Sequence, residues 1–297
     1  MVVSLPAAWV KAVGLKPRQE VQMSIQPDLS LTVTAFPGSG QPVQGLIRVV
    51  RGVASVECVR TFIAHYIAGY DIIKISGLKF LSGSDVAMIK ANIRSKLMGV
   101  EIVEETADVL VAQCLQGGSD LPLFKAIRRM ASLSANMVSD AVDALLGADT
   151  GLAETVIERD DEVDRFAHFI SRQLRMAVQT PGAVYRLGLL STQDCLNLNL
   201  LSKYIERIAD HSVKIAEAVR AGGSPHEFEG LHDRLLEVCE PIKYLVDQAT
   251  ASALRRDSKG ATKVSGKAYW VLSSEAKIVV DLQSKWQLKS GGVGLRV

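Results

Sequence analysis

Several things that would have narrowed the reading are scarce in this chain of 297 residues. Its four cysteines, Cys58, Cys114, Cys195 and Cys239, lie far apart with no CxxC pair. That spacing fits buried, reduced thiols better than disulfides or zinc and favours the cytoplasm. No uninterrupted apolar run approaches the ~20 residues that span a bilayer, and the amino terminus lacks the charged and apolar regions of a signal peptide. The expectation is a cytoplasmic protein with no integral membrane segment. A one-sided charge is missing too: 34 Lys and Arg nearly balance 32 Asp and Glu. Any nucleic-acid contact must therefore come from a local patch. HExxH, GxSxG, P-loop and GxGxxG motifs are all absent, and the Cys and His residues show no nucleophile and base arrangement. A ferritin-like di-metal oxidase is excluded, because the residue three after Glu162 is Arg165 and the one three after Glu206 is Ala209, where His would be needed.

What is present is apolar periodicity, with 48% hydrophobic residues to build cores. Residues 1–42 predict a strand at Val2 to Leu5, a short helix opened by Pro6, and strands at Val21 to Ile25 and Leu29 to Thr34. The alternation in those last two strands gives each a face that a partner, such as a second copy of the chain, must cover. Pro37 to Pro42 reads as a linker. Residues 43–118 predict a small α/β unit: a helix over Val53 to Tyr70, a strand over Asp71 to Ile75, a helix over Ser82 to Met98 and a hairpin over Glu101 to Leu115. From residue 119 to 297 the period becomes 3.6. Four amphipathic stripes begin near Leu121, Leu152, Leu196 and Leu231, punctuated by Gly147, Pro181 and Gly222, with Pro241 as a kink in the fourth. The fold class is α+β and mainly α, ending in an antiparallel helical bundle.

Two of the stripes carry paired acids. Asp160 and Asp164 are four apart on one helix, with His168 continuing the line, and Glu206 and Asp210 repeat the spacing on the next, with Asn199 and Glu217 nearby. Groups one turn apart share a face, so their oxygens could converge on a metal ion. The alternative is a solvated face laced with ion pairs to Arg159, Arg165, Lys203, Arg207 or Lys214. Repetition on two helices favours a site. Lys11, Lys16 and Arg18 cluster around a predicted turn, and in a symmetric dimer they would form a basic stripe for DNA phosphates.

The strings VIERDDEVDRFAHFISRQL at Val156 to Leu174 and SKYIERIADHSVKIAE at Ser202 to Glu217 resemble a PhoU repeat, marked by an acid, three residues and an Asp on each of two neighbouring helices. The opening VVSLPAAWVKAVGLKPRQEV is similar to an AbrB or SpoVT type swapped-hairpin domain, with Arg18 where that motif usually has Gly. The order of modules resembles archaeal phosphate uptake regulators.

The resemblance implies a swapped-hairpin module at 1–42 for DNA binding and dimerisation, a connecting α/β module at 43–118, and a PhoU-like bundle at 119–297. In the bundle one full repeat covers 121–222 and a degenerate one 227–297. It further implies a phosphate-responsive, negative regulator of phosphate uptake, iron or zinc at Asp160, Asp164, Glu206 and Asp210, and promoter DNA at Lys11, Lys16 and Arg18. A homodimer is expected. Two other readings stand beside it: an adaptor that docks on a phosphate transporter ATPase or sensor kinase without touching DNA, and a metal-dependent hydrolase at the acid face.

Overall fold

A computed structural model of the chain describes residues 3–25, 29–35, 42–115, 121–180, 182–222 and 232–291. The linker expected at Pro37 to Pro42 and the helical break expected at Gly117 and Gly118 fall mostly or wholly outside these residues.

The amino-terminal unit is a short helix, α1 (Ala7–Ala12), and a hairpin of β1 (Val21–Ile25) and β2 (Leu31–Ala35), paired antiparallel with Met23 opposite Val33. Helix α1 buries none of its residues, and Met23, Ile25 and Leu31 are all exposed. Val3 to Leu5, expected to extend a first strand, carry none, because Pro6 turns the chain directly into α1.

The second unit is built on a four-stranded sheet in the order β3-β4-β6-β5. Strand β3 (Gln44–Arg48) runs parallel to β4 (Ile72–Ser76), with the crossover helix α2 (Ser55–Ala68) between them. Helix α3 (Gly83–Lys96) follows, started by a capping box in which Ser82 and Asp85 satisfy each other's backbone N–H. The antiparallel hairpin β5 (Val100–Glu105) and β6 (Val109–Cys114) completes the sheet. Phe62, Tyr66, Ile73, Ile75, Ile89, Ile93 and Leu110 form its interior. Strand β3 was not anticipated. Its core side opens with Gly45, where a Cβ would lie 2.4 Å from the His65 ring, so a usual strand residue is excluded by close approach of α2.

The third unit is helical. Helices α4 (Leu123–Gly147), α5 (Thr150–Gln179) and α7 (Thr192–Arg220) share one core, with the single turn α6 (Ala183–Arg186) on the connection. Asp149 caps α5, and Ser191 with Asp194 forms a capping box on α7. Helix α8 (His232–Arg255) lies on α4 and holds Pro241 within its length, and α9 (Ser258–Gly291) lies on α8. The expectation of four stripes was one short: α9 is a fifth long helix.

The α/β unit is anchored to the bundle through a buried arginine of α5. Arg172 donates to the Tyr66 carbonyl at 2.6 Å and the Tyr70 carbonyl at 3.0 Å, stacks over the Tyr66 ring, and sits 3.9 Å from the Asp71 carboxylate. Asp71 in turn accepts from the Val43 N–H, which holds the entry to β3. Truncating a partner in a buried ionic network leaves its mates desolvated and costs about 3–5 kcal/mol. Arg172→Met is therefore expected to lower the unfolding free energy from urea titration by an amount in that range, whereas Arg175→Met, on an exposed position of the same helix, should change it little.

Candidate functional site

The acid pairs sit where α5 packs along α7. On α5 the buried line is Val156, Val163, Phe166 and Ile170, and on α7 it is Ser202, Ile205, Ala209, Ser212 and Ala216. Small residues on α7 let the two helices approach closely. Asp160 and Asp164 flank the α5 line, and Glu206 and Asp210 flank the α7 line, so both pairs fall at the seam.

The structure brings three of the four acids together. The Asp160 carboxyl is pushed up to about 6, first by burial and then by the charges of Asp164 and Asp210, with Lys96 opposing the rise. Lys96, in the last turn of α3, reaches across from the α/β unit. Its ammonium lies 2.9 Å from Asp164 Oδ2 and 3.1 Å from Asp161 Oδ1. Burial by itself would lower the Lys96 pKa, but these hydrogen bonds and charges hold it above the ordinary lysine value. Glu206 is drawn aside, its carboxylate 2.5 Å from Lys203 one turn earlier on α7.

Other expected participants go elsewhere. His168 Nδ1–H donates to the Lys96 backbone carbonyl at 3.1 Å, so this ring braces the lysine. Asn199 accepts from Ser171 at 3.0 Å, and Glu217 is exposed. Arg159 pairs with Asp140 on α4. Lys214 is exposed and has no ion-pair partner among the described residues. The neutralising cation, Lys96, was invisible in the helix pattern, since it lies 68 residues from Asp164 in another unit.

Paired carboxylates on facing helices are suitable chemistry for a divalent cation, and here two of them are met by lysines. Among the described residues no group of three or more His, Cys, Asp or Glu side chains is arranged to hold a metal ion. One Asp164 oxygen is hydrogen bonded to an ammonium, and Glu206 points to Lys203. The cation that this structure shows at the seam is lysine.

At the other end of the chain, Lys11, Lys16 and Arg18 are all exposed. Arg18 takes φ 68°, the left-handed conformation a glycine would adopt, in a turn closed by Gln19 N–H to the Lys16 carbonyl. The basic side chain is thereby carried at the tip of the turn.

Residues 127–219, from within α4 nearly to the end of α7, match the family model described as PhoU domain. The comparisons support the PhoU family for this region. The chain is 34% identical over 98 residues to a phosphate-specific transport system accessory protein PhoU homolog of Caulobacter vibrioides, covering 33% of this chain and 39% of that protein. It is 30% identical over 127 residues to a protein of the same description from Clostridium acetobutylicum, covering 40% of this chain and 52% of that one. The chain thus spans about half or less of the curated relatives it matches. No solved structure matches it. Asp160, Asp164, Glu206 and Asp210 all lie inside the PhoU region, and Lys96, Lys11, Lys16 and Arg18 lie outside it. Among the described residues no helix is long and apolar enough to cross a membrane.

The raised Asp160 carboxyl has a consequence for stability. A carboxyl whose folded pKa lies above its unfolded value, near 3.8, binds more protons in the native state, so its ionisation destabilises the fold as pH rises from about 4 to about 6. With Asp160 partly solvated, the penalty at pH 7 is on the order of 1 kcal/mol. In chelator-treated protein, Asp160→Asn should be more stable than wild type at pH 7 by about that amount, with the gain vanishing near pH 4. Urea titrations at pH 4, 5.5 and 7 measure it.

Proposed function

We propose that the protein is a regulator of phosphate uptake, negative in sense, whose helical bundle senses or transmits phosphate status and whose amino-terminal module carries the response to promoter DNA. The observation that carries this reading is the pair of acid-bearing helices, α5 and α7, lying within the region that matches the PhoU domain. The relatives are named as accessory proteins of phosphate transport systems, and that role is proposed here for this chain. The protein is read as a regulator, with no catalytic step assigned to any residue.

The DNA half of the proposal draws support from the exposed Lys11, Lys16 and Arg18 and from the bare apolar hairpin faces, which a second copy would cover in an AbrB-like homodimer. Three cations per chain give six in a dimer. If all six engage phosphates, the log–log salt dependence of binding has a slope of roughly −5. Gel shifts with promoter DNA at two salt concentrations should show that steep dependence, and charge reversal at Lys11, Lys16 and Arg18 should abolish binding. Wild-type indifference to both DNA and salt would remove the DNA-binding half. A second reading, favoured by the relatives' description as transport accessory proteins, is an adaptor that docks on a phosphate transporter ATPase or sensor kinase. It is distinguished by regulation that survives the same charge reversal.

Iron or zinc at Asp160, Asp164, Glu206 and Asp210 is proposed as the rival occupant of the place that Lys96 now fills. Metal analysis of purified protein beside an Asp160→Ala/Asp210→Ala variant decides between them. Metal in the wild type alone would assign the ions to these acids, and equal content in both would leave them to Lys96 and Lys203. The regulatory reading holds with either outcome.

A further inference from the structure

The outer face of the α8–α9 hairpin has a charge and aromatic pattern that nothing in the described chain engages. On α8, Asp233, Glu237, Glu240 and Tyr244 follow one another at spacings of four, three and four, so they lie on one face. On α9, Lys259, Lys263, Lys267 and Trp270 follow at four, four and three and likewise share a face. All eight are exposed, and Tyr244 and Trp270 are 49% and 46% accessible. Glu240, Tyr244, Lys267 and Trp270 line a common groove between the two helices, with the Lys267 ammonium 4.4 Å above the Tyr244 ring. Asp143 of α4 joins Asp233, Glu237 and Glu240 along the adjoining groove, giving four carboxylates in a row. None of Asp143, Asp233, Glu237, Glu240, Lys259 or Lys263 forms an ion pair among the described residues.

The two helices run antiparallel, so the acidic and basic stretches lie at opposite ends of the hairpin. At 1.5 Å per residue, Glu237 stands about 27 Å from the turn between the helices and Lys263 about 8 Å from it. Their midpoint lies about 17 Å from the turn, level with Tyr244 on α8 and Trp270 on α9. A twofold axis drawn there, lying in the contact plane and running across the helices, brings the basic end of one copy to the acidic end of the other, twice, and the two aromatic pairs against each other at the centre.

We infer that the α8–α9 face pairs with the same face of a second copy of this chain, in an antiparallel, isologous contact with Tyr244 and Trp270 at its core and Lys259, Lys263 and Lys267 over Asp233, Glu237, Glu240 and Asp143 at its two ends. An isologous contact needs a surface that complements itself under a twofold rotation, and this one does so in both charge and apolar content. Desolvated aromatics at the centre with a charged rim are the usual anatomy of such a contact. The inference is independent of the regulatory reading and of any dimer made by the amino-terminal hairpin.

Two charge-reversed full-length variants test it, Glu237→Lys/Glu240→Lys and Lys263→Glu/Lys267→Glu, with sedimentation equilibrium over a range of concentrations and circular dichroism to confirm folding. The wild type should show a self-association step that weakens as salt is raised from 0.05 M to 0.5 M. Each variant by itself should lose that step, or weaken it by about tenfold or more. An equimolar mixture of the two should regain it, because each reversed end then meets an opposite charge at both contacts. If both variants sediment as the wild type does at every concentration, or if the mixture fails to regain what each variant lost, the pairing is wrong and the face belongs to a different partner.

Discussion

Burying the guanidinium of Arg172 is the demand around which the two larger units are arranged. A charge taken out of water needs partners on several sides, and the bundle helix that carries it supplies none of them. The partners are the Tyr66 carbonyl in the last turn of α2, the Tyr70 carbonyl just beyond it, and Asp71 before β4. One side chain therefore closes a helix end, neutralises a buried acid and fixes where the sheet meets the bundle. Eight residues earlier on α5, Asp164 receives Lys96 from α3. Two oppositely signed contacts, about 12 Å apart along one helix, fix the α/β unit at two points.

The acid seam is shaped by that anchoring. Had the α/β unit packed elsewhere, Asp160, Asp164 and Asp210 would face one another with only solvent to offset their repulsion. Lys96 enters because α3 ends at the seam, with His168 holding its backbone carbonyl. The lysine satisfies Asp164 and Asp161 directly and leaves Asp160 half-buried beside three acids, Asp164, Asp210 and Asp161, with no hydrogen bond among the described residues, which is why that carboxyl has the raised affinity for a proton.

These origins explain what the sequence made legible and what it hid. Long stripes such as Val156, Val163, Phe166 and Ile170 announce a buried helix face by period alone, and i, i+4 acids at the stripe's edge announce a seam. Both are local patterns. Strand β3 is five residues long, and its buried side opens on a glycine, so its alternation carries almost no apolar signal. Helix α9 carries Gly260 and Gly266 in its first turns and buries little among its described side chains, which blurs the periodicity that marked the others. Lys96 reads as one more basic residue in the last turn of α3, the commonest place for one. Its pairing depends on how two units dock, and nothing within a helix-length window encodes that.

The same residue types have opposite consequences in the two halves of the helical region. Around α5, Lys96 and Arg172 are held among acids and carbonyls at low exposure, where an interaction of charges is strong and a missing partner is costly. Along α8 and α9, lysines and carboxylates stand in water, where each is individually near neutral in energy and only their arrangement carries information. The interior set determines how one copy holds together and tolerates little change. The exterior set holds few contacts within one copy, the Lys267 ammonium over the Tyr244 ring being one, so its ordering of acid, aromatic and base is information available to a partner surface.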